Sequence, residues 1–149
     1  MKFYTSSSFR ESLERLLKKR RDGYMSVVKD ICSTLQEMPD NILRTTNDRI
    51  RQKPEYRLVK LRLPNSGQHL AKKDGFRLIY LVSELADDLV LLHVYPKRGP
   101  RGVVDLLDAE YNRLVLKMIQ ESQANILHQV DIDNGLEELV VTGSLTRNQ

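Results

Sequence analysis

One stretch of this 149-residue chain leaves few options for folding: YRLVKLRLPNSGQHLAKKDGFRLIYLVSELADDLVLLHVYPK, from Tyr56 to Lys97. It holds three runs rich in β-branched residues, leucine and tyrosine, and the first two are separated by turn residues including Pro64, Asn65, Gly67, Asp74 and Gly75. Such runs read as strands, and three in succession predict an antiparallel meander. In the first run Val59, Leu61 and Leu63 alternate with Lys60 and Arg62, so one face is core and the other cationic. The second run, Phe76 to Val82, is apolar except for Arg77, a costly place for a charge unless the strand end opens to water or an anion. The third, Leu89 to Tyr95, is apolar on both faces and ends in Pro96-Lys97-Arg98. Lys60, Arg62, Arg77, Lys97 and Arg98 are thereby expected to converge on one side or end of a small sheet, as a candidate anion site.

Helical patterns flank this core. Lys2 to Thr5 suits a short strand, and Ser8-Phe9-Arg10-Glu11 fits a capping box that would start a helix. Phe9, Leu13, Leu16 and Leu17 form its stripe, Lys18 to Arg21 its basic last turn, and Gly23 its end. Tyr24, Val27, Val28, Ile31 and Leu35 repeat on one face of a second helix stopped by Pro39, and the short link predicts an antiparallel helical hairpin on the sheet. Residues 40–55 read as a polar, basic connecting loop with room for one helical turn. After KRGPRG, Asp105 or Asp108 is placed to cap a long helix with the stripe Leu107, Tyr111, Leu114, Val115, Met118 and Ile119, ending near His128. Leu139 to Val141 can add a strand to an exposed sheet edge. The expected organisation is one α+β domain over residues 1–128 and an acidic C-terminal extension over 129–149.

Composition narrows the function classes. No apolar run approaches the roughly 20 residues of a membrane span, and the amino terminus lacks an apolar run of signal-peptide type, so a cytoplasmic protein without membrane contact is expected. The single cysteine, Cys32, rules out an internal disulfide framework and reads as core packing. Residues 1–104 hold 21 Lys/Arg against 12 Asp/Glu, whereas residues 105–149 hold 3 against 8, an asymmetry that suits a body facing nucleic acid with an acidic appendage. No HExxH, paired-cysteine, GxxxxGK[ST], GxGxxG or GxSxG motif occurs, so any chemistry is expected from cations, tyrosines and histidines without metal or cofactor. His93, in the third run, shares a face with Leu91 and Tyr95 and reads as a core histidine. His69, Lys72 and Lys73 sit in the insertion between the first two runs, either solvated or near a ligand.

The order of elements, together with VKLRL, GFRLIYLV and LVLLHVYPKR, resembles the RelE/ParE superfamily of bacterial toxins over residues 2 to about 120. The most specific parts are Lys60 to Arg62, Gly75 to Tyr80 and the Tyr-x-Lys at Tyr95 to Lys97. The resemblance implies a toxin of a toxin–antitoxin module, in its ribonuclease branch an endoribonuclease that cuts mRNA at the ribosome without a metal, inhibits translation and binds a cognate antitoxin. It implies catalytic roles for Lys60, Arg62, Arg77, Arg98 and Tyr111, with Lys72, Lys73, Lys97 and Arg101 along the RNA. Leu58 stands where ribosome-dependent relatives often carry a further lysine, which leaves proton abstraction to Lys60, Lys72, Lys73 or a histidine. Two alternatives stay open: a ParE-like inhibitor of DNA gyrase that cuts nothing, and a non-catalytic binding module that retains the fold. Homo-oligomerisation through a sheet edge or the C-terminal extension is a further expectation.

Overall fold

Every residue from Phe76 to Val82 is buried, and a strand without a solvent face requires a packed layer on each side. The computed structural model, which describes residues 1–45 and 49–139, supplies both. In chain order the elements are β1 (Lys2–Thr5), α1 (Ser7–Leu17), α2 (Val27–Glu37), α3 (Asp40–Thr45), β2 (Arg49–Gln52), β3 (Tyr56–Leu63), β4 (Phe76–Ser83), β5 (Asp88–Pro96), α4 (Asp108–Gln123), β6 (His128–Asp131) and β7 (Glu137–Glu138). The strands form one mixed sheet in the order β2-β3-β4-β5-β1-β6-β7. β1 runs parallel to β5, and every other neighbouring pair is antiparallel.

Two cores result. Val59, Leu61, Leu63, Phe76, Leu78, Tyr80 and Val82 point to one face, where Phe9 and Leu16 of α1, Val27, Ile31 and Leu35 of α2, and Leu43 of α3 cover them. Leu58, Ile79, Leu81, Val90, Leu92 and Tyr95 point to the other, against Tyr111, Val115 and Met118 of α4. The period of two along β3 and β4 thus serves two separate helical layers.

β1 is shorter than β5, and α1 takes over where it stops. Ser6 caps α1, its Oγ accepting from the Phe9 N–H at 3.2 Å, and donates to Leu91 O at 3.2 Å. Ser12 Oγ then accepts from the Val94 N–H at 3.1 Å, satisfying a β5 donor that lies beyond β1. The cap is therefore Ser6, not Ser8, because only Ser6 serves the helix and the strand edge together. α1 also ends at Leu17, so the basic run is not its last turn: Arg20–Asp22 forms a separate 3₁₀ turn closed by Gly23 at φ 89°.

Three further expectations are corrected. Residues 40–55 hold the helical turn allowed for there, as α3, but also a strand, β2, which pairs with β3, so Arg49 and Arg51 lie on an edge strand. α4 ends at Gln123, with Asn125 at φ 57°, and His128 opens β6 instead of closing the helix. Its buried side chains are Tyr111, Val115, Met118 and Glu121, whereas Leu107 and Ile119 are exposed.

The C-terminal segment builds onto the sheet. β6 pairs with β1 and β7 with β6, and Gln36 Nε2 donates to Ile132 O and Asp133 Oδ1 at 3.0 and 3.1 Å. The Leu139 N–H donates to Gln129 O; Val140 and Val141, the remainder of the expected extra strand, lie outside the described residues. This extension of the sheet lies at the edge away from β3, so residues 128–139 pair with a sheet edge. Burial pushes the Cys32 thiol up, as expected of a packed, unreactive cysteine.

Glu121 ties the two layers. Its carboxylate is buried and accepts from the Ser7 N–H at 2.9 Å and from Ser7 Oγ, at the positive end of α1. Glu121→Ala is expected to cost about 2 kcal/mol, the range for hydrogen bonds to a charged group, read as a lower urea midpoint at unchanged slope.

Candidate functional site

The register of β3, β4 and β5 places five polar or charged side chains in two rows on the α4 face. Lys60 stands opposite Ile79, which stands opposite His93; Arg62 stands opposite Arg77, which stands opposite Tyr95. Neighbouring backbones lie about 4.8 Å apart, so each row spans about 10 Å. Both rows form because β5 carries a register shift after Leu91. Without it, His93 and Leu91 would share a face; the bulge instead leaves Leu91 in the α1 core and turns His93 toward Tyr95, ring centroids 5.9 Å apart.

A carboxylate closes this face from above. Asp105, in the loop before α4, has its Oδ1 2.8 Å from the Tyr111 hydroxyl, 3.5 Å from the Tyr95 hydroxyl and 2.8 Å from the Leu106 N–H. Its Oδ2 lies 3.4 Å from Lys60 Nζ. Burial alone would raise the Asp105 carboxyl, but hydrogen bonds from Tyr111 and Leu106, with the Lys60 charge, hold it below the usual range. The tyrosines respond in the opposite sense. Burial and the adjacent carboxylate push Tyr95 up to about 12 and Tyr111 further, so both hydroxyls remain proton donors.

Arg77 resolves its buried charge with backbone oxygens. Its guanidinium donates to Lys72 O and Lys73 O, both at 2.8 Å, and to Phe76 O at 3.1 Å. The charge therefore meets neither bulk water nor an acid in these contacts; it anchors the 3₁₀ turn Lys72–Asp74. Gly75 makes that turn possible, since a Cβ there would lie 2.1 Å from Leu63 O. Arg98 reaches the same turn, Nη2 being 2.8 Å from Asp74 Oδ1.

The structure thus brings Lys60, Arg62, Arg77 and Tyr111 to one face, with Arg98, Lys72 and Lys73 at the turn beside it. Lys72 and Lys73 are exposed and Lys97 is half-buried. Arg101 belongs elsewhere: its N–H donates to the Tyr24 hydroxyl at 2.9 Å and its Nε lies 3.5 Å from Asp22, on the side of the α1–α2 connection. Gly99 permits that connection, with φ 90° and a virtual Cβ only 2.5 Å from the Tyr24 oxygen. Arg62 is exposed and has no hydrogen bond or ion pair among the described residues. Tyr95, His93 and Asp105 were missed as site residues. The available signal was an acid six residues ahead of Tyr111, which sequence alone reads as a helix cap.

Among the described residues no three His, Cys, Asp or Glu side chains are grouped to hold a metal ion, and no helix is long and apolar enough to cross a membrane. Comparison with known protein families, curated proteins and solved structures finds no match to this chain.

His93 is half-buried, and burial, with Arg15 nearby, lowers its pKa to about 4 against the opposing influence of Glu110. The folded state thus binds this proton less readily than the unfolded chain, whose histidine titrates near 6.5. Stability attributable to the group is full above about pH 6.5 and is lost as pH falls toward 4. Allowing for partial exposure, the loss is roughly 2–3 kcal/mol, and His93→Gln should flatten that part of the urea-stability profile between pH 7 and 4.

Proposed function

We propose that this chain is the toxin of a toxin–antitoxin module and acts as a metal-independent endoribonuclease on mRNA at the ribosome. The observation that carries the reading is the placement of Lys60, Arg62 and Arg77 on one sheet face with two protonated tyrosines, Tyr95 in the Arg77 row and Tyr111 on the covering helix. In the proposed reaction the 2′-hydroxyl attacks the adjacent phosphorus and the bond to O5′ breaks, leaving a 2′,3′-cyclic phosphate and a 5′-hydroxyl. Negative charge grows on the non-bridging oxygens during attack, and fixed cations lower that barrier. Tyr111 supplies the proton taken by O5′. Lys60, ion-paired to Asp105, acts as a cation and not as a base. The neutral imidazole of His93, in the same row as Lys60, is the acceptor for the 2′-hydroxyl proton.

Arg77 is a poor first target for mutation, because it also holds the turn at Lys72–Asp74. Arg62→Ala is the cleaner test. It should lower induced mRNA cleavage, read by primer extension in cells, by 10-fold or more, with the urea midpoint unchanged. No cleavage by the wild type, or cleavage unaffected by Arg62→Ala, would contradict the reading.

One observation favours a second reading, in which the fold is kept as a non-catalytic binding module. Two of the three cations are already engaged within the chain, Arg77 by carbonyls and Lys60 by Asp105, and Leu58 is fully buried in the α4 core. Normal growth on induction with intact mRNA would point that way, whereas growth arrest with intact mRNA and inhibition of supercoiling in vitro would make gyrase the target.

A further inference from the structure

The contacts around Asp105 are those of an anion receptor already filled. Two phenol hydroxyls and an ammonium from three different elements converge on one carboxylate, and the backbone N–H of Leu106 completes the set. Tyr95 and Tyr111 are buried, 3% and 4% exposed, so their hydroxyls are held in place by the α4 core. The Asp105 side chain is different: it is 52% exposed, so rotation about χ1 carries it into water. Val103 and Leu106 pack into the core on either side, so the loop backbone need not open. What such a rotation leaves behind is the Tyr95 and Tyr111 hydroxyls aimed at the place vacated by Oδ1 and the Lys60 ammonium aimed at the place vacated by Oδ2. Arg62 lies two residues on, about 7 Å along β3, and is unpaired among the described residues.

We propose that Lys60, Tyr95 and Tyr111 form a receptor for one backbone phosphate of single-stranded RNA, and that Asp105 is an internal stand-in displaced when RNA binds. The proposal rests on the RNA-directed reading above and adds a regulatory element to it: the empty face is neutralised, and only a ligand that outcompetes the carboxylate exposes the donors. A phosphate suits them better than a second carboxylate because Arg62 is positioned for the next charge along the same strand. Its two non-bridging oxygens can also be shared between the hydroxyls and the ammonium.

The test is fluorescence anisotropy with a labelled 2′-O-methyl oligoribonucleotide, which lacks the 2′-hydroxyl needed for cleavage. Asp105→Asn should bind about tenfold more tightly than wild type, the scale of one charge-assisted competitor removed. Adding Tyr111→Phe should remove most of the gain. Asp108→Asn, which removes the same charge from an exposed residue three positions on, should change affinity by less than about twofold. Unchanged or weaker binding by Asp105→Asn, or an equal gain in Asp108→Asn, overturns the proposal. The wild type provides an independent readout if Asp105→Asn folds poorly. Its Leu106 amide resonance should shift as RNA breaks the bond to Asp105, and an unmoved resonance at saturation overturns the proposal as well. Tighter binding by Asp105→Asn without cellular cleavage by the wild type would sustain the receptor and sink the nuclease. Cleavage by the wild type with no gain in Asp105→Asn would do the reverse.

Discussion

Burial of β4 on both faces is the constraint from which the rest of the architecture follows. A strand carrying Phe76, Leu78, Tyr80 and Val82 on one side and Ile79 and Leu81 on the other cannot sit at a solvent boundary without exposing a large apolar surface. Helices α1, α2 and α3 shield the first side, and α4 shields the second. The chain reaches the second side only after β5, which is why the connection from Lys97 to Leu107 has to cross the end of the sheet and brings Asp105 over β3.

The same constraint explains the treatment of charge. Arg77 is the one cation within the doubly covered strand, and leaving it bare would cost several kcal/mol of lost hydration. The carbonyls of Lys72, Lys73 and Phe76 replace that hydration, while the neighbouring cations on β3 keep access to solvent or to Asp105. A single face therefore contains one structural arginine, one lysine neutralised by a carboxylate and one arginine unpaired among the described residues. For the proposed ribonuclease, this grading matters more than the number of positive side chains. Only groups that can exchange a present partner for phosphate contribute to binding, and Arg77 acts chiefly by holding the turn and by its field on Tyr95.

Hydroxyls and carboxylate at the site are mutually dependent. Asp105 stays ionised because Tyr111 and Leu106 donate to it and Lys60 lies near, and the tyrosines stay protonated partly because Asp105 is ionised. Removing the carboxylate therefore alters the acidity of both phenols along with the net charge, so in the proposed ribonuclease binding and proton transfer are linked through one side chain.

Much of this was legible in the chain. The alternation at Val59 to Leu63, the unbroken apolar run of β4 and the stripes of α1 and α2 are local patterns with periods of 2 and 3.6, and they fixed an α+β class and the identity of most core residues. They also placed Lys60 and Arg62 on one face of β3, because parity within a strand needs no tertiary information. What the tertiary structure alone decided depends on relations between distant segments. The irregularity after Leu91 reverses parity along β5, and no side-chain pattern announces it, since that stretch is apolar on both faces. Ser6 displaces Ser8 as the cap of α1 because the helix must also satisfy the edge of β5, 85 residues away. Asp105 becomes the centre of the site for the same reason: packing of α4 brings Tyr111 to Tyr95 and Lys60, and a capping acid becomes the ligand of two phenols and an amine only where those three elements meet.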